Sequence, residues 1–246
     1  MERVDELLAA AGRIARRHFR GDLGALAAAD KSDGAAYDPV TEADREIEAL
    51  LRAGISRVSP GDRVVGEENG ASGPEGARRT WFLDPIYGTK AFLTGMSGWG
   101  VMVGVVEDGR AVAGWMDQPV LGETFAAVHG RATVRRPALE SEAGSNGVEV
   151  TDLRVSDCTA LSEAIMYTTH PSMFGDSGAD RERYDELGRR VRLQRFGGDC
   201  YAYCMLAEGR VDLVVESDLN SYDIVALIPI IEAAGGVIVG PDGGQP

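Results

Sequence analysis

The run Trp81-Phe82-Leu83-Asp84-Pro85-Ile86-Tyr87-Gly88-Thr89-Lys90-Ala91-Phe92 constrains this chain more than any other stretch. Its apolar triplet reads as a strand that delivers Asp84 to its end, where Pro85, lacking a backbone N–H, breaks the ladder. Gly88-Thr89 then offers a tight turn with a hydroxyl. A chain presents a carboxylate, carbonyls and free N–H groups to a metal and a phosphate in this way.

The surrounding pattern supplies a layered framework. Residues 2 to 19 place Val4, Leu7, Leu8, Ala11, Ile14, Ala15 and Phe19 at helical spacing, which predicts an amphipathic helix. Residues 21 to 38 read as a Gly-rich loop leading to Thr41, the N-cap of a second helix that buries Ile47, Leu50, Leu51, Ile55 and Val58. Strands follow at 63 to 65 and 81 to 83, so that Glu67 and Asp84 each sit just past a strand end. Residues 99 to 106 and 110 to 116 flank Glu107-Asp108-Gly109, a hairpin signal, and 123 to 128 adds a strand, which together predict an antiparallel sheet. Residues 137 to 147 are rich in Pro, Gly, Ser and Glu and mark a linker between an N-terminal α+β part (1–136) and a C-terminal α/β part (148–246). In the second part, strands are expected at 153–155, 164–168, 192–196 and 211–216, and helices at 179–190, 199–208 and 222–234, the last bent by Pro229.

A chain of 246 residues with 44% hydrophobic content can bury a full core as one large or two small domains. Its net charge of −14 argues against nucleic acid or an anionic membrane as partner, because both need a basic surface. Three cysteines, Cys158, Cys200 and Cys204, describe no disulfide framework, and no apolar stretch of about 20 residues is present. The expectation is a reduced, cytoplasmic protein.

Four ordered segments carry a resemblance: Asp38-Pro39-Val40-Thr41-Glu42-Ala43-Asp44, Gly66-Glu67-Glu68, Asp84-Pro85-Ile86-Tyr87-Gly88-Thr89, and Tyr222-Asp223-Ile224-Val225-Ala226. Together they resemble the inositol-monophosphatase family of magnesium-dependent phosphomonoesterases. Thr89-Lys90-Ala91-Phe92, Trp115 to Pro119 and Gly197 to Tyr203 look most like its histidinol-phosphatase branch. The resemblance weakens between residues 130 and 150 and runs out at the Gly240–Gly244 turn, past which members of that family continue.

The resemblance implies an α+β fold, a layered αβαβα sandwich, usually dimeric. It implies one to three Mg2+ ions held by Glu67, Asp84, the carbonyl of Ile86 and Asp223, with a small phosphate ester, histidinol phosphate or a related amino-alcohol or cyclitol phosphate, as substrate. Two such ions neutralise the phosphate, lower the pKa of a water and stabilise the leaving oxygen. The catalytic set is Asp44, Thr89 and Glu67; the N–H groups of Gly88 and Thr89 hold phosphate, and Glu216 and Asp199 face the substrate. Taken singly, each acid also has an ordinary reading. Asp44 and Asp223 suit first helical turns, Asp84 a turn before proline, Glu67 and Glu68 a solvated pair, and Asp199 a helix cap.

Tyr87 departs from the pattern, because the family places an aspartate there as a ligand of the second metal. A neutral phenol is a poor Mg2+ ligand, and losing an anionic ligand weakens a site at least as much as the roughly 10–100-fold cost of losing an outer partner. The readings are a slow phosphatase with fewer metals, a fold kept for another reaction or for binding, or a recently disabled phosphatase. A cysteine phosphatase is a poor alternative: Cys204 to Arg210 has Cys-x5-Arg spacing, but Cys204 lies in an apolar helical pattern rather than a phosphate-cradling loop. His18, His129 and His170 are scattered and suggest neither a zinc site nor a catalytic triad.

Overall fold

A computed structural model describes residues 2–21, 29–30, 39–138 and 147–244. Most of the 21–38 loop, Asp38 of the first motif and most of the 137–147 linker lie outside the described residues. The chain opens with α1 (Glu2–His18), and a two-residue bridge between β1 (Ala29–Asp30) and β2 (Pro39–Val40) leads to α2 (Glu42–Val58). Thr41 starts α2 as expected, and a capping box forms because Asp44 three residues on accepts a hydrogen bond from the Thr41 N–H at 2.8 Å.

An eight-stranded sheet follows, built from β3 (Arg63–Gly66), β4 (Gly70–Ser72), β5 (Arg79–Tyr87), β6 (Gly100–Glu107), β7 (Arg110–Gln118), β8 (Glu123–Val128), β9 (Arg131–Pro137) and β10 (Val148–Asp152), with the short helix α3 (Thr89–Leu93) after β5. Its spatial order is β10-β9-β8-β7-β6-β5-β3-β4, antiparallel throughout except that β3 runs parallel to β5. The predicted hairpin joins β6 to β7, with Asp108 and Gly109 both at positive φ, as a two-residue turn between twisted strands requires. The C-terminal part adds β11 (Ile165–Thr168), α4 (Ala179–Arg190), β12 (Leu193–Phe196), α5 (Asp199–Ala207), β13 (Leu213–Val214), α6 (Ser221–Ile224) and α7 (Leu227–Ala233). Here β12, β11 and β13 form a parallel three-stranded sheet.

Strand β6 shows how the layers arise. Val101, Val103 and Val105 alternate toward Leu8, Ile47 and Leu51 of α1 and α2, while Met102 points to the other face, where α5 and α7 pack with Leu227 and Ile230. Beyond α5 lies the smaller sheet, and α4 closes it with Tyr184 against Gln194 of β12. The result is the expected α+β sandwich in αβαβα order.

Several local expectations need correction. Asp84 and Pro85 lie inside β5 and do not end it: Asp84 pairs with Met102 and Tyr87 with Gly100, so a bulge absorbs one extra residue between them. Pro85 is tolerated there because a bulge leaves its position out of the ladder. Strands β9 and β10 were not foreseen; β10 occupies 148–152, where a strand was expected at 153–155, and β13 is only two residues long. The helix expected over 222–234 is two helices broken at Val225-Ala226. Pro229 explains the break, since its ring crowds the carbonyl of residue 225 and it has no N–H to donate there.

Asp117 of β7 is buried beside the Thr124 hydroxyl, which donates to it at 2.7 Å. Burial pushes its pKa up to about 6, against the opposing pull of that hydrogen bond and of Arg135 and Arg16. A carboxyl raised in the folded state binds more protons there, so stability falls as pH rises from about 4 through about 6. Replacing Asp117 with Asn should remove a loss of about 3 kcal/mol, seen as a gain at pH 8 over the native chain in urea unfolding and little difference at pH 4.

Candidate active site

The parity of β5 organises the site. Trp81 and Leu83 face the α1–α2 layer, and strict alternation would send Pro85 and Tyr87 after them. The extra residue reverses this. Ile86 takes the helix side, fully buried, and Tyr87 swings to the opposite face, against the second core cluster with Cys200 and Tyr203 close by. Its hydroxyl donates to Glu216 at 3.1 Å. Tyr203 donates to the same carboxylate oxygen at 3.3 Å, and Thr169 donates to the other from its N–H at 2.9 Å and its hydroxyl at 2.5 Å.

A cleft of about 270 Å3 opens at this point, and Glu67, Asp84, Ile86, Tyr87, Gly88, Thr89, Lys90, Thr169, Asp199 and Asp223 line it. Register brings Glu67 here: Gly66 pairs with Leu83, and the Glu67 N–H donates to the Leu83 carbonyl at 3.2 Å, so Glu67 emerges beside Asp84. Asp223, third residue of α6, accepts a capping hydrogen bond from the Asn220 N–H at 2.6 Å. Its helix reaches β5 because Gly104 and Gly114, paired across β6 and β7, leave room for the Val225-Ala226 break. A Cβ at Gly114 would lie 1.8 Å from the Ala226 carbonyl oxygen. Gly88 turns the chain at φ 93°, a left-handed conformation open to glycine, and Thr89 donates its hydroxyl to the Ile86 carbonyl at 3.2 Å.

The electrostatics single out Asp84. Burial first, then the negative charges of Glu67, Asp223 and Asp44, raise its pKa well above the carboxylate range, and a side-chain hydrogen bond to Glu67 adds to the shift. Its Oδ1 is buried without a hydrogen-bond partner. Three acids crowded on a buried carboxylate oxygen that lacks a donor form an environment that a hard cation would satisfy, and carboxylates with a backbone carbonyl are the donors such a cation takes. The residues present therefore fit Mg2+. As they stand, no three His, Cys, Asp or Glu side chains among the described residues close into a ready metal cluster, so the donors line the cleft without converging on one point.

Other expected residues fall in different places. Asp44 is 1% exposed, with Oδ2 accepting from the Thr41 N–H and hydroxyl, and it acts on Asp84 through charge. Asp199 opens α5 at φ 43°, makes no cap bond and lines the cleft; burial first, then Glu216, against Lys90, raises it to about 6. Glu216 is not among the lining residues, since it is engaged by the two tyrosines and Thr169. Cys204 is wholly buried in α5 and its thiol is pushed up by burial, which leaves no reactive thiolate for the Cys-x5-Arg chemistry. His170 caps a surface turn through Ser172. Glu48, a fully buried acid one turn beyond Asp44, was not anticipated: a glutamate in an amphipathic helix reads as solvated, and only its zero exposure distinguishes it.

The model of the inositol monophosphatase family matches residues 1–246. The chain is 37% identical over 230 residues to the chloroplastic bifunctional phosphatase IMPL2 of Arabidopsis thaliana, covering 93% of this chain and 60% of that protein. It is 38% identical over 208 residues to the histidinol-phosphatase of Streptomyces coelicolor, covering 83% and 74%. Among solved structures, an inositol monophosphatase from Zymomonas mobilis superimposes with a TM-score of 0.78 at 33% identity, over all of this chain and 87% of that one.

The Tyr87 hydroxyl is one of four donors to Glu216. Tyr87→Phe should cost about 1–2 kcal/mol in urea unfolding at pH 7, the worth of one hydrogen bond to a carboxylate that keeps its other partners. A change under a few tenths would show that the bond contributes nothing.

Proposed function

The chain belongs to the inositol monophosphatase family of phosphoric monoester hydrolases, and from that premise we propose that it is a Mg2+-dependent phosphatase of a small phosphorylated amino alcohol, histidinol phosphate first and cyclitol phosphates second. The observation that carries this reading is the buried, donor-free Oδ1 of Asp84 among three other acids, at a cleft of small-molecule size.

Glu67, Asp84, Asp223 and the Ile86 carbonyl are the groups that would hold Mg2+. When bound, the ion neutralises the phosphate and acidifies a water. The chain's own groups do the rest. The turn at Gly88-Thr89 offers its N–H groups to the phosphate, and the Thr89 hydroxyl, which donates to the Ile86 carbonyl, accepts from the attacking water and orients it, while Asp44 contributes through its charge on Asp84. Glu67 accepts from that water as well as serving as a ligand.

Asp199 favours an amino alcohol. It and Glu216 make one end of the cleft anionic, and a buried carboxylate raised to about 6 is relieved by a cation on the substrate. In this reading Glu216 acts through its field, because its oxygens already accept protein donors. Tyr87 supports a weakened second metal position: it brings no anion to the cleft, and its hydroxyl is directed to Glu216.

The test is phosphate release from histidinol phosphate and from inositol phosphates across a Mg2+ titration, for the native chain and Tyr87→Asp. The native chain should prefer histidinol phosphate, and Tyr87→Asp should lower the Mg2+ requirement about 10–100-fold. Release from neither substrate by either protein would contradict a phosphatase.

A further inference from the structure

Glu67 sits on the turn between β3 and β4, a two-strand edge whose β4 is wholly exposed, yet it must hold a fixed place beside Asp84. What fixes it comes from α2. Glu48 is fully buried there, and its two oxygens face the turn. Oε2 accepts from the Glu68 N–H at 2.7 Å; Oε1 accepts from the Asn69 N–H at 3.1 Å and the Asn69 side-chain amide at 3.0 Å. Arg52, one helical turn on, pairs with Oε1 at 2.6 Å and extends the clamp along the same edge to the Ser72 hydroxyl at 2.8 Å and the Gly70 carbonyl.

Gly66 gives independent support. A Cβ there would lie 2.5 Å from the Glu48 carboxyl carbon and 2.8 Å from Arg52 Nη2. The Gly-Glu-Glu sequence of the turn thus has a physical reason: the space of a side chain at 66 is taken by the carboxylate that grips residues 68 and 69. Asp44, Glu48 and Arg52 follow one another at four-residue spacing, so one stripe of α2 meets both the Asp84 environment and the turn that carries Glu67.

We propose that Glu48, backed by Arg52, is the positioning residue for Glu67: by holding the Glu68 and Asn69 N–H groups it keeps the Glu67 carboxylate aimed into the cleft, and it thereby sets the affinity for the divalent cation. The inference rests on the metal-site reading above. Glu48 itself touches neither metal nor substrate. A buried carboxylate chelating two consecutive N–H groups is a stiff support, and groups that orient a ligand change metal affinity about 10–100-fold when lost.

The experiment is Mn2+ binding to the purified full chain, followed by electron paramagnetic resonance of free Mn2+, alongside melting temperature and Mg2+-dependent phosphate release. Glu48→Gln keeps the shape but loses an acceptor, and should raise the Mn2+ dissociation constant at least tenfold while kcat at saturating Mg2+ stays within a few-fold. Gly66→Ala should shift binding in the same direction by displacing Glu48. Arg52→Gln, which leaves the Glu48 carboxylate in place, should do so more weakly, and it keeps the proposal testable if Glu48→Gln does not fold. Variants that melt earlier but bind Mn2+ within twofold of the native chain would overturn the positioning role and leave the phosphatase reading standing. A native chain that binds no Mn2+ would overturn both.

Discussion

Burial of the Asp84 carboxylate among Glu67, Asp223 and Asp44 is the constraint on which the rest of the structure depends. Each of these acids approaches Asp84 from a different element, so each connection carries an electrostatic penalty that packing elsewhere offsets. Helix α2 brings Asp44 on a buried face with Ile47, Leu51 and Ile55, and its capping box fixes where that face begins. The parallel register of β3 on β5 brings Glu67, and the glycine pair under the Val225-Ala226 break brings Asp223. Crowding of this kind costs free energy in the absence of a cation, which is the physical reason to read it as a site and not as scaffold.

A second constraint is the extra residue in β5. By shifting parity it takes Tyr87 off the face that Trp81 and Leu83 share and puts Ile86 there, so Ile86 seals the core with its carbonyl at the cleft while Tyr87 crosses to the small sheet's side. There Tyr87, Tyr203 and Thr169 immobilise Glu216, and the tyrosine becomes a strut between β5 and the C-terminal layer. The departure from the family's aspartate is therefore more than a missing ligand: the ring has a packed environment and its hydroxyl a partner.

Much of this was legible in the sequence, and the parts that were not share a cause. Periodicity located α1, α2, α4 and α5, and the Asp-Gly turn located the β6–β7 hairpin, because local pattern determines those elements. The ordered motifs named Glu67, Asp84, Ile86, Tyr87, Gly88, Thr89 and Asp223 of the residues that line the cleft, but not Thr169, which folding alone brings there. The bulge was hidden, since a proline in an apolar run reads as an end, and its tolerance depends on what β6 does opposite it. Strand β10 is exposed along its whole length and β9 is rich in arginine, so pairing partners rather than pattern decide them. Glu48 was invisible for a related reason: its burial is set by a turn about twenty residues away in sequence, and only the folded contact distinguishes it from the solvated glutamates of the same helix.

The account's central claim is that the acids around Asp84 are arranged for a cation, and calorimetric titration of Mg2+ into the native chain and into Asp84→Asn at pH 7.5 tests it most directly. The account predicts saturable Mg2+ binding to the native chain, with release of protons because Asp84 must ionise to bind, and its loss in the variant. Absence of saturable binding to the native chain up to tens of millimolar, or binding that Asp84→Asn leaves unchanged, would contradict it.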